Sequence, residues 1–371
     1  MNNSISIIVA TRNDNHGGNL IERTNTFLNS LALKLKKFNF RVELIIVEWN
    51  QIPENPPISQ TLDFKNIKLY ADVKIITIKK ELHDAIANSD KIHFFQMIAK
   101  NAGIRRASGE FILCTNIDIL LNDNLVTFLK NSQIHKKTLY RLARHDLSVM
   151  NIVSQDILED QNQLDQLVCF KNKINYSYDV RTERRHYANS SLKRYYYNSI
   201  YSIEDYGFFQ SFLNLFNKLK KFKILNLKKY LFFILKAIKY KLFYPKLFTN
   251  ACGDFTLLDK ESWHALNGYS EIPLFSWHLD SIFLWQAYFG GIKFYNFEDD
   301  IYVYHLAHHS GGSVPDLAKM YEKLNNEKIP FIQNNDFPRY LEDIKNKKFN
   351  FLGINEKFGL YDEKLEITKL N

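Results

Sequence analysis

Cysteine is scarce in this chain of 371 residues: Cys114, Cys169 and Cys252 are the only three. An odd, widely spaced set in apolar or mixed surroundings fits neither a disulfide framework nor a zinc site. Reduced cytosolic thiols are the simple reading. The apolar run Ile5–Ala10 is too short for a secretory leader and no cationic segment precedes it, so no signal peptide is expected. No stretch approaches the length of a transmembrane helix. Acid is missing altogether between Asp205 and Asp254, a stretch that holds ten lysines. The net charge is +9, but outside this block the two signs nearly cancel. One basic block is not a basic binding face, and nucleic acid is not an expected partner.

The chain is 46% hydrophobic and 24% charged, enough for a sizeable α/β core and unlike a disordered chain. Ser4–Thr11, Glu43–Trp49, Val73–Ile78 and Glu110–Cys114 read as short, buried, β-branched strands. Leu20–Phe38 and Phe94–Ala107 have helical spacing, and Gly109 follows the second as helix C-termini favour. Strand–helix alternation of this kind predicts a parallel, Rossmann-like sheet, whose ligands bind at the carboxyl ends of the strands. Thr11–Asn15, Glu48–Asn50 and Asn116–Asp118 are then expected to converge on one edge. From about Val126 to Tyr206 the signal is mixed and reads as helices and loops. Cys252–Leu258 resumes strand character, Asp280–Tyr288 reads as a helix, and Lys293–Phe297 and Tyr302–His305 as strands. The tail from Pro315 is charged and reads as helical.

Asn116 and Asp118 follow a buried strand two positions apart, which puts both on one side. Two short oxygen-bearing side chains there can hold a hard divalent cation, Mn²⁺ or Mg²⁺, and through it a diphosphate. The same residues are also common in plain turns.

The run from Asn101 through Gly103, Gly109 and Glu110 to Asn116-Ile-Asp118 resembles the segment that leads into the DxD motif of family-2-like GT-A glycosyltransferases. Ser6–Asp14 resembles the first strand of that family, and Cys252–Tyr269 its acceptor-side segment. The three occur in the family's order along the chain. The resemblance implies a GT-A fold with a helical basic insertion and a C-terminal helical tail. Residues 1–125 would form the nucleotide-sugar-binding half, 126–250 the insertion, 251–314 the acceptor-binding and catalytic half, and 315–371 the tail. It implies a nucleotide-diphosphate sugar as donor and a saccharide or polyprenyl-linked acceptor, in the synthesis of a bacterial surface polysaccharide. Asp118 would hold the metal, with a late-strand histidine, His305 or His308, completing the site. Thr11, Arg12 and Glu48 would hold the nucleoside, and Asn101, Arg105 and Asn116 would lie on the donor side. Arg105 is equally readable as a diphosphate partner or as a solvent-facing helical residue. Asp254, Trp277 and His278 are acceptor-side candidates, and Asp280 is the carboxylate expected to take the proton of the attacking hydroxyl, with inversion. One departure stands out. The family has Asp where this chain has Asn116, which weakens the pull on a metal and keeps a non-enzymatic binding protein on a degenerate domain as an alternative. A nucleotidyltransferase of related fold is the other; it would want a lysine in the glycine loop Arg12–Asn19, and there is none.

Within residues 208–248, Leu227, Leu231, Ile234, Leu235, Ile238 and Leu242 fall on one stripe of a helix, with Lys229 and Lys236 opposite. That pattern suits an anionic membrane surface. The expected location is cytoplasmic, peripheral on the inner face of the plasma membrane.

Overall fold

The computed structural model describes residues 3–131, 133–173, 176–187, 247–308, 314–333 and 336–370. In chain order its strands are β1 (Ile5–Thr11), β2 (Val42–Trp49), β3 (Ala71–Ile78), β4 (Phe111–Cys114), β5 (Ile119–Leu121), β6 (Thr138–Arg141) and β7 (Ala143–Leu147). They continue as β8 (Val168–Asn172), β9 (Tyr176–Asp179), β10 (Arg184–Tyr187), β11 (Thr256–Asp259), β12 (Lys293–Asn296), β13 (Tyr302–His305) and β14 (Glu366–Leu370). They form an eight-stranded sheet ordered β12-β6-β11-β4-β1-β2-β3-β14 and a six-stranded sheet ordered β10-β9-β8-β7-β13-β5.

The expected α/β class is the one observed. Strands β3, β2, β1 and β4 run parallel. Their side chains alternate between two apolar layers, because successive residues of a strand point to opposite faces. Ile5, Ile7, Val9, Leu44 and Ile46 pack with Phe27, Leu28, Leu31 and Leu35 of the helix Leu20–Lys37. Ile8, Ala10, Ile45 and Val47 pack with Met97, Ile98, Ala99 and Ala102 of the helix Gln96–Arg106. That second helix lies very close to the sheet: a Cβ on Gly103 would sit 2.6 Å from the Ile8 side chain.

Three expectations need correction. The span read as helices and loops, 126–206, contains strands β6 to β10, of which β6 joins the main sheet and β7 to β10 make up much of the second. Their charged and polar residues alternate with apolar ones and hide the strand signal. Cys252–Asp254 is a 3₁₀ turn, and strand β11 begins only at Thr256. The tail is not wholly helical. After the helices Val314–Asn326 and Phe337–Lys345 it ends in β14, which covers the edge of the main sheet antiparallel to β3. The basic segment 208–248 lies outside the described residues except for Leu247 and Phe248, as do Tyr195–Tyr197. Among the described residues no helix is long and apolar enough to cross a membrane.

The tail is held to the helix Gln96–Arg106 by polar contacts, most of them half-buried. Arg105 donates to the carbonyls of Glu356 and Phe358, and Arg106 to those of Gly359, Leu360 and Glu363. Glu271 accepts from Asn101 and from the Gly359 backbone. Burial pushes the Glu271 carboxyl up to about 7, only partly offset by these bonds. A carboxyl raised on folding stabilises fully below its unfolded pKa, and that contribution is lost as pH rises through its folded pKa. Stability is therefore expected to fall between about pH 4.5 and 7 through this group. Glu271→Gln, which keeps the accepting oxygen, is expected to flatten that slope in urea titrations run across the same pH range.

Candidate metal and diphosphate site

Strand register builds the site. Strand β4 ends at Cys114 and β5 begins at Ile119, so Asp118 sits at the crossing from one sheet to the other. Strand β5 runs antiparallel to β13 with Ile119 opposite His305. The Leu306 backbone then donates to the Asp118 carbonyl at 3.0 Å. One more turn of chain brings back His308. Asp118, His305 and His308 each offer a ligand atom, and these atoms lie within 4.8 Å of one another. His308 Nε2 is 3.3 Å and His305 Nε2 3.9 Å from Asp118 Oδ2. The two Nε2 atoms are 3.1 Å apart.

Asp118 is 5% exposed, and its Oδ1 is buried with no hydrogen-bond partner among the described residues. A buried carboxylate oxygen without a donor is costly unless something else meets it. Burial lowers the His308 pKa to about 4, which favours the neutral imidazole, whereas for His305 burial and Arg144 are outweighed by Asp146 and Asp118 and the pKa is raised. Two imidazole nitrogens and a carboxylate oxygen fit a first-row divalent ion, and suit Mn²⁺ better than Mg²⁺.

Buried charges of alternating sign surround the cluster. Arg23, 2% exposed, donates to Asp118 Oδ2 at 2.9 Å. Its other nitrogens donate to the carbonyls of Gly18 and His16. The guanidinium thus ties the glycine loop after β1 to the metal-site carboxylate. On the other side Arg144 pairs with Asp146 at 2.8 Å and with Asp254 at 2.6 Å. Burial opposes charge on Asp254 and Asp146, but Arg144 outweighs it and holds both below the usual carboxylate range.

Asp254 also accepts from Asn116 Nδ2 at 2.6 Å. Asn116 Oδ1 in turn accepts from Lys100 and Gln96, and Lys100 reaches the Gly253 carbonyl at 2.8 Å. This accounts for Asn116. An aspartate there would set a second carboxylate oxygen against Asp254, and like charges at that range cannot both stay ionised. Asn116→Asp is expected to lower stability at pH 7 by about 1–3 kcal/mol, with the loss shrinking at pH 5, and to leave Mn²⁺ affinity no higher. Denaturant midpoints at the two pH values check this; unchanged stability with tighter Mn²⁺ binding would refute it.

The other sequence candidates fall in three places. Thr11 and Glu48 are register partners at the ends of β1 and β2. Glu48 is fully buried, accepts from the Ile58 backbone and has an Oε2 with no partner among the described residues, and burial raises its pKa to about 7. Arg12 braces its own loop, donating to the Asn50 carbonyl and to Asp14. Asp280 lies beside the Asp254 turn: a Cβ on Gly253 would meet its Oδ2 at 3.0 Å. It sits in the first turn of the helix Leu279–Phe289 rather than at its cap, which is His278 with φ 72°. Trp277 packs edge-on against Tyr321, and His278 against Phe337.

Asn101 and Arg105 stand apart, for physical reasons. The Asn101 amide is spent on Tyr269 and Glu271. Arg105 lies under the tail, its guanidinium 4.1 Å from the Phe358 ring centroid, at the helix end away from Gln96. Asp254 has both oxygens engaged by Arg144 and Asn116.

Arg23, Lys100, Arg144 and Asp146 were not singled out by sequence reasoning. Arg23 and Lys100 carried a signal, each being a charge within the buried span of its helix. Arg144 and Asp146 alternate with buried Ala143, His145 and Leu147, a period-two pattern five residues long.

No protein-family model and no curated protein matches the chain. Among solved structures it is similar to residues 1–349 of TarS from S. aureus, at 14% identity and a TM-score of 0.36, over 95% of this chain and 74% of that one. TarS in complex with UDP-GlcNAc gives 13% identity and a TM-score of 0.38, over 95% and 75%. The mannosyltransferase PcManGT from Pyrobaculum calidifontis, in complex with GDP-Man and Mn²⁺, gives 12% identity and a TM-score of 0.40, over 93% and 70%.

Proposed function

We propose that this chain is a glycosyltransferase that moves a sugar from a nucleotide-diphosphate sugar to an acceptor hydroxyl. The observation that carries the reading is the meeting of Asp118, His305 and His308 within 4.8 Å, beside the carboxyl ends of parallel strands where α/β sheets bind their ligands. The bonding of Asn116 favours an active site over a degenerate one, because that amide meets a need an aspartate would not.

In this reading Asp118, His305 and His308 hold a divalent cation. The cation, when bound, neutralises charge developing on the departing diphosphate. Thr11 and Glu48 border the nucleoside side of the cleft. Arg23 holds the loop of His16 and Gly18 against Asp118 and so keeps the donor side closed up. Asp280 accepts the proton of the acceptor hydroxyl as its oxygen bonds to the anomeric carbon and the bond to the diphosphate oxygen breaks, with inversion. Trp277 and His278 offer ring faces to an acceptor sugar. The acceptor is a saccharide or polyprenyl-linked saccharide of a bacterial surface polysaccharide, met at an anionic membrane surface through 208–248.

A thermal-shift panel of nucleoside diphosphates with and without Mn²⁺ tests the proposal. One nucleotide is expected to raise Tm only with metal present, and Asp118→Asn to abolish that increment. Indifference to every nucleotide would refute it.

A further inference from the structure

The metal reading leaves open what makes His305 a ligand rather than a proton donor. An imidazole ligates through the nitrogen that lacks a hydrogen. In this cluster either tautomer has a local partner. His305 Nε2 lies 3.1 Å from His308 Nε2 and 3.9 Å from Asp118 Oδ2. A hydrogen on that nitrogen would find an acceptor at once and close the site to a cation.

We infer that Asp146 is the positioning residue that removes this choice, holding the hydrogen of His305 on Nδ1 and so directing the Nε2 lone pair into the cluster. The inference rests on the metal reading above. Strands β7 and β13 run parallel with Asp146 and His305 as register partners, so the backbone sets the two side by side. Asp146 Oδ1 is 3.1 Å from His305 Nδ1. The carboxylate is itself clamped. Arg144 lies 2.8 Å from Oδ1 and donates to Oδ2 at 3.2 Å, and Asn172 on β8 donates to Oδ2 at 2.6 Å. A carboxylate paired with arginine can only accept, which assigns the shared hydrogen to the imidazole. The second sheet thereby acts on the metal site: three of its strands, β13, β7 and β8, supply ligand, acceptor and clamp in turn. Such outer carboxylates orient ligating histidines and are generally worth a factor of ten or more in metal affinity.

Two measurements test this. Nitrogen-15 NMR of the metal-free wild type reads the His305 tautomer directly, and Nδ1–H is expected; Nε2–H would overturn the inference without any variant. Mn²⁺ titration followed by electron paramagnetic resonance then compares wild type with Asp146→Ala, whose Arg144 keeps Asp254 as a partner. About a 10- to 100-fold weakening is expected, with His305 moving toward Nε2–H. Asn172→Ala, which loosens the clamp and leaves the acceptor, should weaken binding less and keep the tautomer. Equal Mn²⁺ affinity in wild type and Asp146→Ala would overturn the inference alone. Failure of the wild type to bind Mn²⁺ at all would overturn the metal reading, whatever the tautomer.

Discussion

Asp118→Asn is expected to reduce turnover of a nucleotide-sugar by on the order of 10³-fold while leaving the protein folded. The carboxylate is the only anionic ligand in the cluster with His305 and His308. Its loss removes most of the site's attraction for a divalent ion, and with it transition-state stabilisation of several kcal/mol. Asparagine retains an oxygen that can accept from Arg23, which is buried and otherwise bonded only to the backbone of Gly18 and His16. Asp118→Ala removes that acceptor as well. It should cost about 3–5 kcal/mol of stability by leaving a buried guanidinium without its counter-ion. Activity and unfolding measured together separate the two effects: the asparagine variant is catalytically dead but stable, the alanine variant dead and unstable. Full activity in the asparagine variant would contradict the metal role of Asp118.

Arg144→Met is expected to destabilise the fold around the site by about 3–5 kcal/mol near neutral pH. Arg144 lies between Asp146 and Asp254, at 2.8 and 2.6 Å. Methionine fills similar space but leaves buried Asp254 and half-buried Asp146 without their shared cation. The sign of the pH dependence follows from their lowered pKa values. A carboxyl depressed on folding contributes stability that is present above its unfolded pKa and lost as pH falls through its folded pKa. The wild type draws on this at pH 7. In the variant the carboxyls are free to protonate in acid, so the gap between the two proteins should be widest near pH 7 and narrow toward pH 4. Guanidinium unfolding at both values measures it, and an equal loss at the two would mean that packing, not charge, is what Arg144 supplies.

The legible parts of the fold were those in which local pattern and tertiary role coincide. Strands β1, β2 and β4 are buried along their whole length and β3 along most of it, so their residues are mainly β-branched and apolar, and helices Leu20–Lys37 and Gln96–Arg106 show clear punctuation. Strands β7 to β10 were hidden because one face carries charge: Arg144 and Asp146 point to the site while His145 and Leu147 point to the core. A five-residue alternation is too short to separate from a loop. Asn116 and Asp118 were marked by their place after a buried strand together with the family resemblance, and His305 and His308 by the resemblance. Which strands lie side by side was not readable. Asp146 and His305 are separated by 159 positions in the chain, and only the pairing of β7 with β13 makes them neighbours. Arg105 was equally readable as a diphosphate partner or a solvent-facing residue, and the structure puts it under the tail. Nothing local announces that residues 356–363 return to cover the end of its helix.

Anomalous diffraction at the manganese edge, from crystals soaked with Mn²⁺ and a nucleoside diphosphate, bears most directly on the site. A single peak is expected within bonding distance of Asp118, His305 and His308, with diphosphate oxygens completing its coordination. A peak elsewhere, or none while the nucleotide is bound, would contradict the account.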